Sequence, residues 1–401
     1  MSLLRNKVFL AILLGHFIND IFSNAGPVLI TFFSIPLALS TVHIGLAIGL
    51  SQFAGSLSQP FFGWWVDKIG SRWLGPGSVA WTIFFLTLSV FVAQQTHSFS
   101  LFLIPFVLSS IGSGAFHPLG VKHAAEQSGG LAATGTGLFF GFGQTGLAIG
   151  PVLTGMILSN IGPSGIYGLA LLAIPLLIFM AVALRQVQAL PSTAPPPAEK
   201  VVQDSSSAPL QWRPIILLAL LVGLRSWAYL GTVTFLPKMF QNMDWSATYY
   251  GLITGAYWLG SALTTAVAGG LADRWGRRQL VFFTLLFGSL PLYFLPLYSG
   301  WQAFPLAVMS GALLGASQSI VVVIAQDLLP GKRGLTSGIA LGYLFGIGSF
   351  AAWGVGGLAE VWGLGPVIQA GTVVGLLAAG LALLLPKTRE TARPYPKNVP
   401  V

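Results

Sequence analysis

The chain alternates between long apolar runs and short polar breaks along nearly its whole length. Each run is about as long as the ~20 residues that an α-helix needs to cross a hydrocarbon core of roughly 30 Å. The pattern predicts an all-α integral membrane protein with twelve transmembrane helices. The runs lie at roughly 8–36, 42–66, 73–94, 99–121, 132–159, 164–184, 214–237, 246–271, 279–298, 303–326, 334–358 and 365–385.

The composition supports a lipid-facing surface. Of the 401 residues, 54% are hydrophobic and only 7% are charged, whereas about a quarter of a soluble domain is charged. The chain has no cysteine, which excludes disulfides, thiolate catalysis and Cys-ligated metals. The basic lead from Met1 to Lys7 runs into an apolar stretch longer than a signal-peptide core, so we expect the first helix to be an uncleaved anchor.

The basic residues are distributed unevenly between the two sides of this topology. With the N-terminus inside, 17 of the 19 Lys and Arg residues fall in inside loops or tails, while Lys238 falls outside and Arg225 within a run. Cytoplasmic loops carry such an excess of basic residues. We therefore predict a multi-pass protein of the bacterial inner membrane with both termini cytoplasmic. The net charge of +9 is explained by topology, and we do not expect a nucleic-acid partner.

The sequence divides into two related halves. Residues 186–213 are rich in Pro and Ser, as in a flexible linker, so we predict six-helix bundles at 1–185 and 214–386 and a tail at 387–401. The pattern G-x-x-x-D-x-x-G-x-R follows the second and eighth runs, 206 residues apart. Internal duplication is typical of repeat-built transporters, and we expect two pseudo-symmetric bundles. The repeated positions are Gly63, Asp67, Gly70 and Arg72, and Gly269, Asp273, Gly276 and Arg278.

These duplicated loops resemble the signature of the major facilitator superfamily. The fifth run is similar to the glycine-proline motif of the antiporters of that superfamily, with Thr154 where a glycine is usual. The matching positions there are Gly137, Gly146, Gly150, Pro151 and Gly155. Four further stretches resemble the fosmidomycin-resistance branch. They are Gly15-His16 with Asn19-Asp20, Ser58-Gln59-Pro60, Phe116-His117-Pro118, and Ala325-Gln326-Asp327 with Pro330-Gly331. The resemblance implies a major facilitator fold and secondary transport by alternating access, with proton-coupled antiport and antibiotic efflux as the expected activity.

Two ionisable residues lie deep within the runs, Asp20 in the first and Arg225 in the seventh. Ionisable groups at such depth are costly and usually face a cavity or a partner. His16, Asn19 and Asp20 share one helical face, so we predict that Asp20, with His16 and Asn19, is the proton-coupling site. The alternative is that Asp20 and Arg225 form a purely structural salt bridge between the two halves. If Asp20 is the proton-coupling residue, we still expect it to pair with Arg225, but only while the cavity is empty.

Arg225 is the candidate anion-binding residue, since a guanidinium stays protonated at physiological pH. Aromatic side chains are expected to supply apolar walls of the substrate site around it. Amide and hydroxyl side chains are expected to complete the site, and for these the alternative is hydrogen bonding between helices. For His117 a gating role or simple polar packing is a further alternative. The remaining candidates are Trp227, Tyr229, Tyr257, Trp258, Gln52, Gln144 and His117.

These observations favour a transporter and exclude the common enzyme motifs. We find no H-E-x-x-H, no G-x-S-x-G and no phosphate loop, and expect no enzyme activity, cofactor or metal. The partners we expect are protons, membrane lipid and a small amphipathic, anionic substrate, with the protein acting as a monomer. The duplicated loops are predicted to be gating latches, and the alternative is a topological anchor with no gating role. A proton-coupled importer of an organic anion and an exporter of cationic drugs remain as alternatives.

Overall fold

The computed structural model describes residues 3–68, 72–128, 131–185, 212–328 and 333–386. The predicted linker and the C-terminal tail lie almost wholly outside these ranges. The α-helices are α1 (Lys7–Ser23), α2 (Gly26–Phe33), α3 (Thr41–Lys68), α4 (Leu74–Thr96), α5 (Phe99–Glu126), α6 (Ala132–Asn160), α7 (Gly165–Leu184), α8 (Trp212–Ser226), α9 (Thr232–Gln241), α10 (Ala247–Trp275), α11 (Arg277–Phe294), α12 (Ala303–Leu328), α13 (Arg333–Trp362) and α14 (Leu364–Ala382).

Two of the twelve predicted spans are interrupted helices, and they occupy equivalent places in the two halves. The first span is α1 followed by α2, which restarts at Gly26 with a proline in its first turn. The seventh is α8 followed by α9, joined by a π-helical segment at Trp227–Gly231. Wide turns of this kind often occur at functional sites, and this one begins two residues after Arg225. With these pairs counted as single spans, the twelve-helix prediction is confirmed.

The spans are also visible in the composition of the described residues. Within the described ranges, nine segments are long and apolar enough to cross a membrane on their own composition. The remaining long helices, α3, α10 and α13, lie between the two halves, where α3 packs on α13 and α10 packs on α6.

The helix packing repeats in the two halves. In the N-terminal half α5 contacts α3 and α4, and α4 contacts α7. The equivalent helices of the C-terminal half pair in the same way, with α12 on α10 and α11, and α11 on α14. The pseudo-symmetric arrangement of two six-helix bundles predicted from the duplicated loops is therefore confirmed.

The halves approach most closely at the end of the molecule away from the chain termini, which we call the far end. A β-carbon built on Gly45 would lie 2.6 Å from the carbonyl oxygen of Ala352, and one on Gly155 would lie 2.2 Å from that of Ala247. Lys238 on α9 donates to Ser34 at 3.0 Å. At the opposite, near end, Gly63, Gly269 and Gly342 make no comparably close approach to the other half within the described ranges.

Candidate functional site

Asp20 lies in a buried polar cluster between α1, α4 and α5. Its carboxylate is 3.2 Å from His16 Nε2 and 3.9 Å from His117 Nε2. Asn19 Nδ2 donates to Asp20 Oδ1 at 3.0 Å and to Ser113 Oγ at 3.0 Å. The Asp20 side chain is only 6% exposed, whereas that of His117 is 30% exposed. We call His16, Asp20 and His117 the carboxylate–imidazole cluster.

The imidazole of His16 is fixed by α6 as well as by Asp20. Its ring stacks on Phe139 with the centroids 3.8 Å apart, and its Nδ1 lies 2.8 Å from the Phe139 carbonyl oxygen. A β-carbon at Gly143 would lie 2.3 Å from the ring. Only glycine leaves room for His16 here, because there is no side chain to occupy the same space.

The glycines predicted in the fifth span have separate packing roles. A β-carbon at Gly146 or Gly150 would lie within 2.5 Å of carbonyl oxygens of α1, at Phe17 and Ile21. Gly155 instead packs closely on α10, where a β-carbon on Gly251 would lie 2.4 Å from the Pro151 carbonyl oxygen. A β-carbon on Gly137 would meet no described atom within 4 Å. Gly146 and Gly150 therefore allow α6 to pack closely on α1, the helix of Asp20. Gly155 allows α6 to pack on α10, which belongs to the other half.

Arg225 is fully buried in the C-terminal half and lies on α8 against α12. Its Nε donates to Ser317 Oγ at 2.6 Å, and its Nη2 donates to the Leu314 carbonyl at 3.1 Å and to Gln318 Oε1 at 3.4 Å. The guanidinium carbon is 4.8 Å from the centre of the Tyr229 ring. Nη1 has no hydrogen-bond partner among the described residues.

The expected pairing of Asp20 with Arg225 is not found, so that prediction is wrong for this conformation. Asp20 is bonded within the N-terminal half to His16 and Asn19. Arg225 is bonded within the C-terminal half to neutral oxygen atoms. The reason is local, since each helix carries its charged residue toward a polar neighbour of its own bundle.

The other predicted substrate residues contact different parts of the molecule. Tyr229 and Tyr257 are buried, the hydroxyl of Tyr229 donates to Ser261 at 2.7 Å, and the ring of Trp258 meets Tyr229 edge-on at 5.9 Å. A β-carbon on Gly354 would lie 2.7 Å from Trp227, so this ring packs on α13. Gln52 faces Gly348 of α13, and the side-chain oxygen of Gln144 is buried without a partner among the described residues.

Known proteins resemble this chain along its whole length. The family model for the Major Facilitator Superfamily matches residues 8–243 and 215–400. The chain belongs to this superfamily. It is 27% identical to a fosmidomycin resistance protein of Escherichia coli (strain K12), over 95% of this chain and 93% of the relative. It is 26% identical to an uncharacterised MFS-type transporter of Bacillus subtilis (strain 168), over 94% and 91%.

A solved structure agrees with the fold of this facilitator. The inward-facing, occupied structure of a bacterial homologue of the human lysosomal transporter Spinster superposes with a TM-score of 0.75 at 17% identity, covering 95% of this chain and 96% of that one. The protein is therefore a multi-pass membrane transporter with the major facilitator fold, and it is not an enzyme.

The duplicated loops of the facilitator lie at the near end. In the first, a β-carbon built on Gly63 would lie 3.7 Å from Pro118, and Arg72 lies over the Trp73 ring. Gly70 and the Asp67 side chain are outside the described residues. In the second, Gly269 has an open surface, Asp273 is exposed, and Gly276 joins α10 to α11 with a φ of +86°. Only glycine adopts that φ readily.

Both arginines after Gly276 hold other helix ends. Arg278 donates to the Leu385 carbonyl at 3.2 Å. The neighbouring Arg277 forms an ion pair with Asp327, which belongs to the Ala325-Gln326-Asp327 stretch noted in the sequence. The predicted latch role of these loops remains a prediction.

Several contact residues were missed by the sequence interpretation. Ser317 and Gln318 bind Arg225, and Thr82 donates to Asn19 Oδ1 at 3.2 Å. A signal for the first two was present, because they are adjacent polar residues in an otherwise apolar run at the tenth span. Nothing marked Phe139 or Gly143, since their role depends on how closely α6 approaches α1.

Proposed function

We propose that this transporter exports a small amphipathic anion in exchange for protons by alternating access. The observation that carries the proposal is Arg225, a fully buried guanidinium whose hydrogen-bond partners among the described residues are all neutral oxygens, and whose Nη1 has no partner among them. A buried charge without compensation is costly, so an anion from outside is the natural partner.

The surroundings of Arg225 suit an anion that also carries apolar groups. Tyr229 presents its ring face to the guanidinium, and Tyr257 and Trp258 pack beside that ring. A phosphonate or carboxylate could accept hydrogen bonds from the planar guanidinium. The relative named for fosmidomycin resistance supports the same substrate class.

Proton coupling is assigned to Asp20, with His16 and Asn19. A buried carboxylate beside an imidazole can exchange a proton when its surroundings change. The site belongs to the N-terminal half and Arg225 to the C-terminal half, so movement of the halves changes the exposure of both. The antiport direction is supported by the glycine-proline pattern of the fifth span.

The conformation is the one in which an exporter would bind its substrate. The halves are closely packed at the far end, by glycine contacts and by the bond from Lys238 to Ser34. With the termini cytoplasmic, as the charge distribution predicts, this is a state closed to the outside. An exporter must load its substrate in such a state.

The test is a transport assay in proteoliposomes with an imposed pH gradient and a panel of small phosphonates, carboxylates and lipophilic cations. We expect gradient-driven movement of an anion, and Arg225→Ala should weaken its binding about 30-fold or more, equivalent to roughly 2 kcal/mol. Arg225→Lys should bind with intermediate affinity because an ammonium lacks the planar fork.

The matched control is Arg213→Ala, which removes an exposed arginine from the start of the same helix. Tight binding of a lipophilic cation that is insensitive to Arg225→Ala would contradict the anion assignment. Accumulation of the substrate in cells that express the protein would favour the importer over the exporter.

A further inference from the structure

Two backbone carbonyls fix the protonation pattern of the carboxylate–imidazole cluster. His16 Nδ1 lies 2.8 Å from the Phe139 carbonyl oxygen, and His117 Nδ1 lies 2.7 Å from the Ser113 carbonyl oxygen. A carbonyl oxygen only accepts hydrogen bonds, so Nδ1 of each ring carries the hydrogen. Each neutral ring then presents a bare lone pair on Nε2.

The two bare nitrogens and the carboxylate converge on the same point. His16 Nε2 is 3.3 Å from His117 Nε2 and 3.2 Å from Asp20 Oδ2. With both rings neutral and Asp20 ionised, three acceptors would face one another in a buried site without a donor between them. Asn19 Nδ2 is a donor beside the cluster, and it is already directed at Asp20 Oδ1 and Ser113 Oγ.

One proton resolves this arrangement. On His16 Nε2 it would point toward both Asp20 and His117, because His16 is the member close to both of the others. A second proton, on His117 Nε2, would place two imidazolium N–H groups 3.3 Å apart. We propose that the cluster holds a single shared proton, and that His117 is the member that passes it to and from solvent.

The exposure of the three residues supports this role for His117. His16 and Asp20 are 2% and 6% exposed in their side chains, whereas His117 is 30% exposed. The ring of His117 meets that of His16 edge-on, with the centroids 5.0 Å apart. His117 is thus the member of the cluster through which a proton can reach the buried pair.

No other titratable side chain competes for the proton among the described residues that pack around the cluster. From α4 there is the hydroxyl of Thr82, from α6 the ring of Phe139 and the glycine at 143, and from α7 Met180 beside Gly15. On α5 the next titratable group is Lys122, more than one turn beyond His117.

The test is His117→Gln, and the inference rests on the proposed proton coupling. A glutamine amide can donate to the Asp20–His16 pair permanently, so the cluster no longer needs a proton. Purified full-length protein in weakly buffered detergent would be titrated with a phosphonate or carboxylate transported in the proteoliposome assay, and proton release followed with a pH indicator. We expect about one proton per substrate for the native protein, and at least a fivefold lower yield for His117→Gln with substrate still bound.

The control is His97→Gln, the same change at an exposed histidine after α4. Native-like release by His117→Gln would overturn the role of His117, and release of two protons by the native protein would overturn the single-proton assignment. Release that stops after chelator treatment and returns with Zn²⁺ would mean that a metal ion occupies the cluster. No release by the native protein would count instead against proton coupling itself.

Discussion

The two halves place opposite charges at nearly equivalent positions, and they stabilise them in different ways. The 206-residue offset of the duplicated loops relates Asn19 to Arg225, one residue from Asp20. In the N-terminal half, α5 supplies His117 to Asp20. In the C-terminal half, the equivalent helix α12 supplies Ser317 and Gln318 to Arg225.

The difference lies in which charge can be exchanged. In the proposed function, Asp20 with its two imidazoles is the site that takes up and releases the proton. Arg225 stays protonated, and its hydrogen-bond partners among the described residues are neutral oxygens, so in the proposed function an arriving anion balances its charge. If the proposed function holds, duplication provides one helix pair that binds the proton and an equivalent pair that binds the substrate.

The largest expected effect comes from Asp20→Asn, which removes the exchangeable charge but keeps the shape. We expect gradient-driven transport to be abolished, because an amide cannot take up and release a proton, while substrate binding at Arg225 persists. Uphill transport in proteoliposomes and equilibrium binding would be measured on the same preparation.

The control for this change is Asp244→Asn, at an exposed loop residue with a φ of +62°. Asparagine tolerates that left-handed conformation, so the variant should behave like the native protein. Undiminished uphill transport by Asp20→Asn would mean that the proton binds elsewhere or that no proton is used.

An intermediate effect is expected from Gly143→Ala. The new methyl group would lie 2.3 Å from the His16 ring, so the ring must move away from Phe139 and from Asp20. Loss of a hydrogen bond to a charged group costs about 1.5–3 kcal/mol, so we expect coupled transport to fall on the order of tenfold or more. Anion binding at Arg225 should change little.

Gly141→Ala is the matched control, since Gly141 is on the same helix and has no atom within 4 Å of the added methyl group. Both variants gain the same helix propensity, about 1 kcal/mol. Equal activity of the two would show that the position of His16 is not important for coupling.

The sequence predicted the fold well and the candidate site only in part. The twelve spans and the two-bundle arrangement follow from hydropathy and duplication, because lipid imposes apolar length on each helix. Asp20 and Arg225 stood out because charge is rare in such helices. Their partners did not, because a hydroxyl, amide or glycine gains its role from close helix packing, and hydropathy carries no information about which helices approach.

The Asp20–Arg225 pairing shows the limit of this reasoning most clearly. Two lone opposite charges on equivalent helices suggested a pair, yet each is bonded inside its own bundle. Pairing across the halves requires a distance that only tertiary structure provides. The polar residues of the fourth and tenth spans were the better guide, since these helices pack beside the charged ones.

The smallest expected effect concerns the near-end loops, where the halves can again be compared. Asp327→Asn removes the ion pair with Arg277, which joins α12 to the start of α11. Both side chains are partly exposed, and such pairs contribute at most about 1 kcal/mol, so we expect turnover to fall no more than about fivefold.

Asp67→Ala, in the first of the two loops, should likewise lower turnover more than affinity, because the loop is far from Arg225. Turnover and equilibrium binding measured on both variants would separate the two quantities. Weakened affinity with an unchanged rate, in either half, would contradict a latch role and place these loops in substrate binding instead.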